Sequence, residues 1–212
     1  MNAGSHRVLV VLVIVLGFCG IAPRAADRTS IDQPTVLSLR LTTSSELSGV
    51  SQRALVNETN AIWRDANVQL RWVKDNTDLA ADRPLRILVT RRAVTAANAH
   101  SWPVGELLRF HDSSAIAMAS ISSALRIVQG DPERPLLDLP QMHQYTLGIV
   151  LGRAVAHEIG HYLLESNWHA SYGLMRASID AREFADLRSG AFRLDHESQA
   201  YLAARALSTR SE

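Results

Sequence analysis

The chain has 212 residues, of which 47% are hydrophobic and 20% charged. Those are the proportions of a globular protein large enough to bury a core without staples. The net charge is +1, and Lys74 is the only lysine among 22 basic residues. No basic stripe runs along the sequence, so no nucleic-acid partner is implied. Cys19 is the only cysteine, which excludes a disulfide framework, a paired thiol centre and a cysteine-rich metal site.

His6 and Arg7 precede an uncharged apolar run from Val8 to Ile21, and Pro23-Arg24-Ala25-Ala26 follow it. This is the layout of an export signal spanning residues 1–26. The run is shorter than the roughly 20 residues a membrane-spanning helix needs. The expectation is a secreted or periplasmic protein, touching a membrane only if the segment stays uncleaved. Cys19 falls inside the signal, behind a bulky Phe18 that disfavours lipidation. Residues 27–212 then form a single cysteine-free domain.

In chain order, residues 27–34 read as a polar leader and 35–41 (TVLSLRL) as an alternating strand. Val50, Leu55, Val56, Ile62 and Trp63 recur at helical spacing across 48–66. Residues 68–73 (VQLRWV) and 85–90 (LRILVT) read as two more strands on either side of a polar stretch. This β-α-β-β order predicts a small mixed sheet packed by a long N-terminal helix. Residues 93–114 read mostly as loop, 115–121 (AIAMASI) as a short strand, and 130–135 as a loop punctuated by Gly130, Pro132 and Pro135. The longest helical pattern spans 141–164 and the last spans 196–208. The fold class is α+β, with a C-terminal helical subdomain.

Chemistry concentrates in the long helix, at Ala156-His157-Glu158-Ile159-Gly160-His161. Histidines four apart lie on one helical face, where both rings can offer a nitrogen to one zinc ion at about 2.0–2.1 Å. Glu158 stands beside the metal position, where a carboxylate can serve as general base towards water. The plain alternative is two polar side chains on the exposed face of an amphipathic helix. Hydrolytic zinc sites usually have a third protein ligand. His169 is eight residues beyond His161 and requires the helix to end and the chain to swing back, with Asn167 available for the left-handed turn. Glu183, 22 residues beyond His161, is the rival, in a surface helix with Asp186 in support.

With these residues in view, the segment from Leu147 to Met175 resembles the metzincin superfamily of zinc peptidases. The carriers are Leu151-Gly152-Arg153, the His157–His161 motif, His169 and Tyr172-Gly173-Leu174-Met175. The resemblance implies a metzincin-like zincin fold, a zinc cofactor and a peptide or protein substrate. It also implies a third histidine after the helix and a methionine, here Met175, packed beneath the metal. The family spacing is H-E-x-x-H-x-x-G-x-x-H; here Leu164 replaces the glycine and Asn167 the third histidine, so His169 comes two residues late. Glu183 as third ligand would instead match a thermolysin-like arrangement. Tyr172 is expected to pack, and His100, His111, His143 and His196 lack partners at metal spacing. The expected function is a zinc endopeptidase, with extended substrate along the 115–121 strand. A non-catalytic zinc-binding interaction domain and a hydrolase of another amide, such as one in a cell-wall component, are the alternatives.

Overall fold

A computed structural model describes residues 34–73, 84–91, 104–112 and 114–208, with side chains described as far as 205. The expected export signal, almost all of the leader, His100 and Ser113 lie outside the described residues. Among the described residues no helix is long and apolar enough to cross a membrane.

Five strands form one sheet: β1 (Thr35–Thr43), β2 (Val68–Trp72), β3 (Leu85–Thr90), β4 (Gly105–Arg109) and β5 (Ala115–Ser120). Their order is β2-β1-β3-β5-β4. The β1–β2, β1–β3 and β3–β5 pairs are parallel, and β4 runs antiparallel to β5. The sheet is therefore mixed, as the β-α-β-β order predicts. Leu39, Ile87, Val89, Ala117 and Ala119 are fully buried at alternate positions, which puts them on one face of the pleat. That face joins one core with α1 (Gly49–Arg64) and α3 (Gln141–Leu163). Among the described residues there are also the shorter helices α2 (Ile121–Gln129), α4 (Ala181–Ala185) and α5 (His196–Ser208) and one 3-10 turn, Leu136–Asp138.

Two expectations fail here. The stretch read as loop contains β4, whose GELLR sequence alternates too weakly to announce a strand. β4 then occupies the sheet edge and moves 115–120, as β5, into the interior between β3 and β4. An extended peptide therefore cannot pair with that strand, because both its edges are taken. α2 was not anticipated either. Its N-cap Ser120 accepts a hydrogen bond from Ser123 N–H, and left-handed Gly130 ends it.

The helix pair α1–α3 sets the position of everything that follows. The N-cap Ser48 accepts from Ser51 N–H at 3.2 Å and starts α1. Ala54, Leu55, Thr59, Ile62 and Trp63 form its buried stripe. α3 is buried almost continuously from Leu147 to Ile159, because it runs between sheet and partner helices. Main chains come close enough for side chains of α1 to bond carbonyls of α3: Ser51 Oγ donates to Gln144 O at 2.7 Å, and Thr59 Oγ1 to Gly152 O at 3.1 Å. A Cβ on Gly148 would overlap Ser51 O. In an isolated helix Gly→Ala stabilises by about 1 kcal/mol. In α3 the overlap reverses the sign, and Gly148→Ala is expected to destabilise by about 1–3 kcal/mol. Urea unfolding of the two proteins measures it; a stabilised variant would mean the helices are not packed this closely.

Candidate metal centre

His157 and His161 lie one turn apart near the C-terminal end of α3, and their rings meet edge to face with centroids 4.7 Å apart. His157 Nδ1 contacts Leu174 O at 2.8 Å, and His161 Nδ1 contacts Ser166 O at 2.7 Å. A carbonyl oxygen only accepts, so both Nδ1 atoms carry the proton and both Nε2 atoms carry a lone pair. Those two Nε2 atoms face each other at 3.0 Å. Neither has a proton to share, so the contact is not a hydrogen bond but two donors converging on one position. Ligands of a single tetrahedral ion at 2.0–2.1 Å would stand about 3.3 Å apart. The donor set fits a metal.

His169 joins them. Its ring stacks over His157 at 5.4 Å and meets His161 edge to face at 4.8 Å. One nitrogen from each of the three rings lies within 4.8 Å of the others. Glu183 does not approach: its two oxygens accept from Arg176 Nη2 and Nη1 at 2.7 and 3.2 Å. Asp186 is equally remote in role, its Oδ1 accepting from Arg188 N–H. His111, His143 and His196 are exposed, and His143 is engaged with Gln129.

The chain swings back differently from the sequence expectation. The left-handed residue is Glu165, at φ 50°, not Asn167. Helix α3 therefore stops two residues sooner, and Ser166 is freed to offer its carbonyl to His161. Two arginines from distant elements cap carbonyls of the last turn: Arg109 of β4 donates to His161 O, and Arg205 of α5 donates to Leu163 O and to the Glu165 carboxylate. Ala170 N–H donates to Met175 O at 2.8 Å, tying the residue after His169 to the residue after Leu174. Met175 is buried to 1% exposure beneath α3, and a Cβ on Gly160 would overlap its sulfur. Tyr172, expected to pack, is 61% exposed.

Glu158 is 5% exposed. Its carboxylate lies against the main chain of β4: a Cβ on Gly105 would stand 2.6 Å from Oε1. Burial pushes Glu158 from the usual 4.5 up to about 8, with the charge of Glu106 adding to the effect. Burial also takes His157 down to about 4, against the opposing Leu174 hydrogen bond, with the neighbouring imidazoles lowering it further. His161 and His169 are lowered by burial as well. All three rings are thus neutral at pH 7, the form that binds metal. The centre opens on a cleft of about 720 Å³.

The raised Glu158 has a consequence for the metal-free protein. The folded state holds this proton more tightly than the unfolded one. The contribution to stability is therefore full below about 4.5 and lost as pH rises through about 8. Metal-free Glu158→Gln is expected to exceed the parent in stability at pH 9, by an amount on the order of a few kcal/mol, and to lose that advantage by pH 4. Chemical unfolding at both pH values decides it; a pH-independent difference would show that the carboxyl is not strained by burial.

No protein-family model matches the sequence, and no curated protein matches it. Among solved structures, this chain is similar to the crystal structure of an archaemetzincin from Methanopyrus kandleri. The TM-score is 0.47 and the identity 14%, over 89% of this chain and 99% of that one.

Proposed function

We propose that the chain is a zinc-dependent peptidase, with the ion held by His157, His161 and His169 and with Glu158 as general base. The observation that carries this reading is the pair of Nε2 lone pairs facing each other at 3.0 Å beside a third imidazole and a buried carboxylate. A purely structural site has no use for that carboxylate, whose burial is unfavourable whenever it is charged. A zinc ion, when bound, supplies a Lewis acid and brings the pKa of the water it holds to about 7. Its positive charge also favours the carboxylate form of Glu158, against the upward push of burial.

Each residue of the chain then has a task. Glu158 takes a proton from the attacking water and returns it to the leaving amine. Strand β4 is last in the sheet order, and its outer edge has no strand partner among the described residues. That edge suits an extended peptide, since strand addition fixes a substrate backbone through main-chain hydrogen bonds. Gly105 brings the edge and the base together, because the absent side chain is what lets Glu158 lie against β4. The Val8–Ile21 run supports export, which would place the reaction outside the cytoplasm.

Glu158→Gln is expected to keep a full equivalent of zinc and to lose turnover of a peptide library by at least about 10²-fold. Residual activity within tenfold would remove Glu158 as base. His169→Ala is expected to lower zinc affinity far more than Glu183→Ala, read by metal analysis after dialysis; the opposite order would reassign the third ligand. Gly105→Ala displaces the carboxylate, and the expected result is a fall in kcat of about 10²-fold with zinc retained. An unaffected kcat would detach the edge strand from the chemistry.

A further inference from the structure

The cleft extends beyond the three imidazoles. Ala154 precedes His157 by three residues and lies on the same helical face, so the floor continues one turn towards the start of α3 over a side chain too small to fill it. One wall there is α2. Ser123, Arg126 and Ile127 stand at i, i+3 and i+4, and all three line the cleft. Ile179 and Phe184 line it as well, from the α4 region. Half-buried Ile127, Ile179 and Phe184 thus give the recess apolar surface, Ser123 and Ser178 add polar lining, and exposed Arg126 makes its rim cationic.

The charges are one-sided. Among the described residues that line the cleft, Glu158 is the only carboxylate, whereas Arg126 and Arg176 are both present. Arg176 is matched by Glu183 through two hydrogen bonds. Arg126 also has an interaction within the chain. A guanidinium has five N–H donors in a planar fork, so one engaged edge leaves others for a second acceptor.

Resting on the peptidase reading, we infer that this recess is the specificity pocket and that it takes a carboxylate of the substrate. Arg126 is the specificity-determining residue, and Ile127, Ile179 and Phe184 cover the aliphatic stem that carries the carboxylate. An amine-bearing side chain is disfavoured, because it would enter beside the Arg126 charge, while Glu158, the one carboxylate among the described lining residues, is buried against β4. Two sources supply the same chemistry: an acidic side chain next to the cleaved bond, or the terminal carboxylate of a short peptide.

The test uses zinc-loaded protein and four hydroxamate probes, which bind through the metal and so need no turnover. One carries a glutamate side chain with an amidated end, one leucine with a free terminal carboxylate, one leucine amide and one lysine amide. Calorimetry is expected to show at least one carboxylate probe binding about tenfold or more tighter than leucine amide, with lysine amide weakest. The better carboxylate probe identifies the source. Arg126→Glu is expected to reverse the glutamate and lysine order, and Arg126→Gln to remove the carboxylate preference, with zinc content measured in each variant. Equal affinities for the four probes overturn this inference but leave the metal centre standing. So does an order unmoved in zinc-replete Arg126→Glu. Failure of every probe on protein shown to contain zinc overturns both this inference and the peptidase reading.

Discussion

Two main-chain carbonyls fix the chemistry of this centre. Leu174 O and Ser166 O each accept the proton of one imidazole, and that choice of tautomer turns two lone pairs towards each other at 3.0 Å. Without a cation the arrangement is repulsive and buried, and with one it is complete. Both carbonyls belong to the segment that follows α3, so the segment that delivers His169 also orients the other two histidines. The three histidines are thus parts of one device, assembled only when the chain after residue 163 folds back.

That return depends on contacts well outside the motif. Arg153, 2% exposed, donates to Glu58 of α1 at 2.7 Å and to the carbonyls of Phe184 and Asp186 at 2.8 and 3.0 Å. Its guanidinium also sits 4.2 Å over the Phe192 ring. One buried cation therefore joins the helix pair to the segment around α4 and closes the turns after Met175. Breaking such a buried pair by removing one partner typically costs 3–5 kcal/mol, because the other charge is left uncompensated. The Arg109 and Arg205 caps act at the other end. They satisfy carbonyls that a helix terminus leaves open and complement the negative end of its dipole.

How far the sequence disclosed this follows from the range of each interaction. His157 and His161 were legible because their relation is local: 3.6 residues per turn fixes it before any tertiary contact forms. The three early strands and α1 were legible from periodicity for the same reason. β4 was not, since GELLR becomes a strand by pairing with β5, a contact that no short window contains. α2 is not legible because ISSALRIVQ reads equally as strand, and the cap at Ser120 shows only once the strand before it is placed. Intrinsic preference for left-handed backbone points to Asn167 as the helix stop. Glu165 takes that conformation instead, with its carboxylate held by Arg205 across the fold. Tyr172, expected to pack, lies exposed as well.

The late position of His169 follows from that early stop. A longer connection would ordinarily raise the conformational freedom of the ligand it carries. Here the added length is held at several points: Glu165 by Arg205, Ser166 by His161, Trp168 N–H by Ser166 Oγ, and Ala170 by Met175. The residues on either side of His169 are bonded, and its ring is stacked on His157, so the histidine is presented by a braced loop rather than by a helix. The extra residues also leave Asn167 at the lip of the cleft. A connection that departs from the motif's usual spacing therefore still brings one nitrogen of each of the three rings within 4.8 Å of the others, because that convergence depends on where the rings are held and not on the number of residues between them.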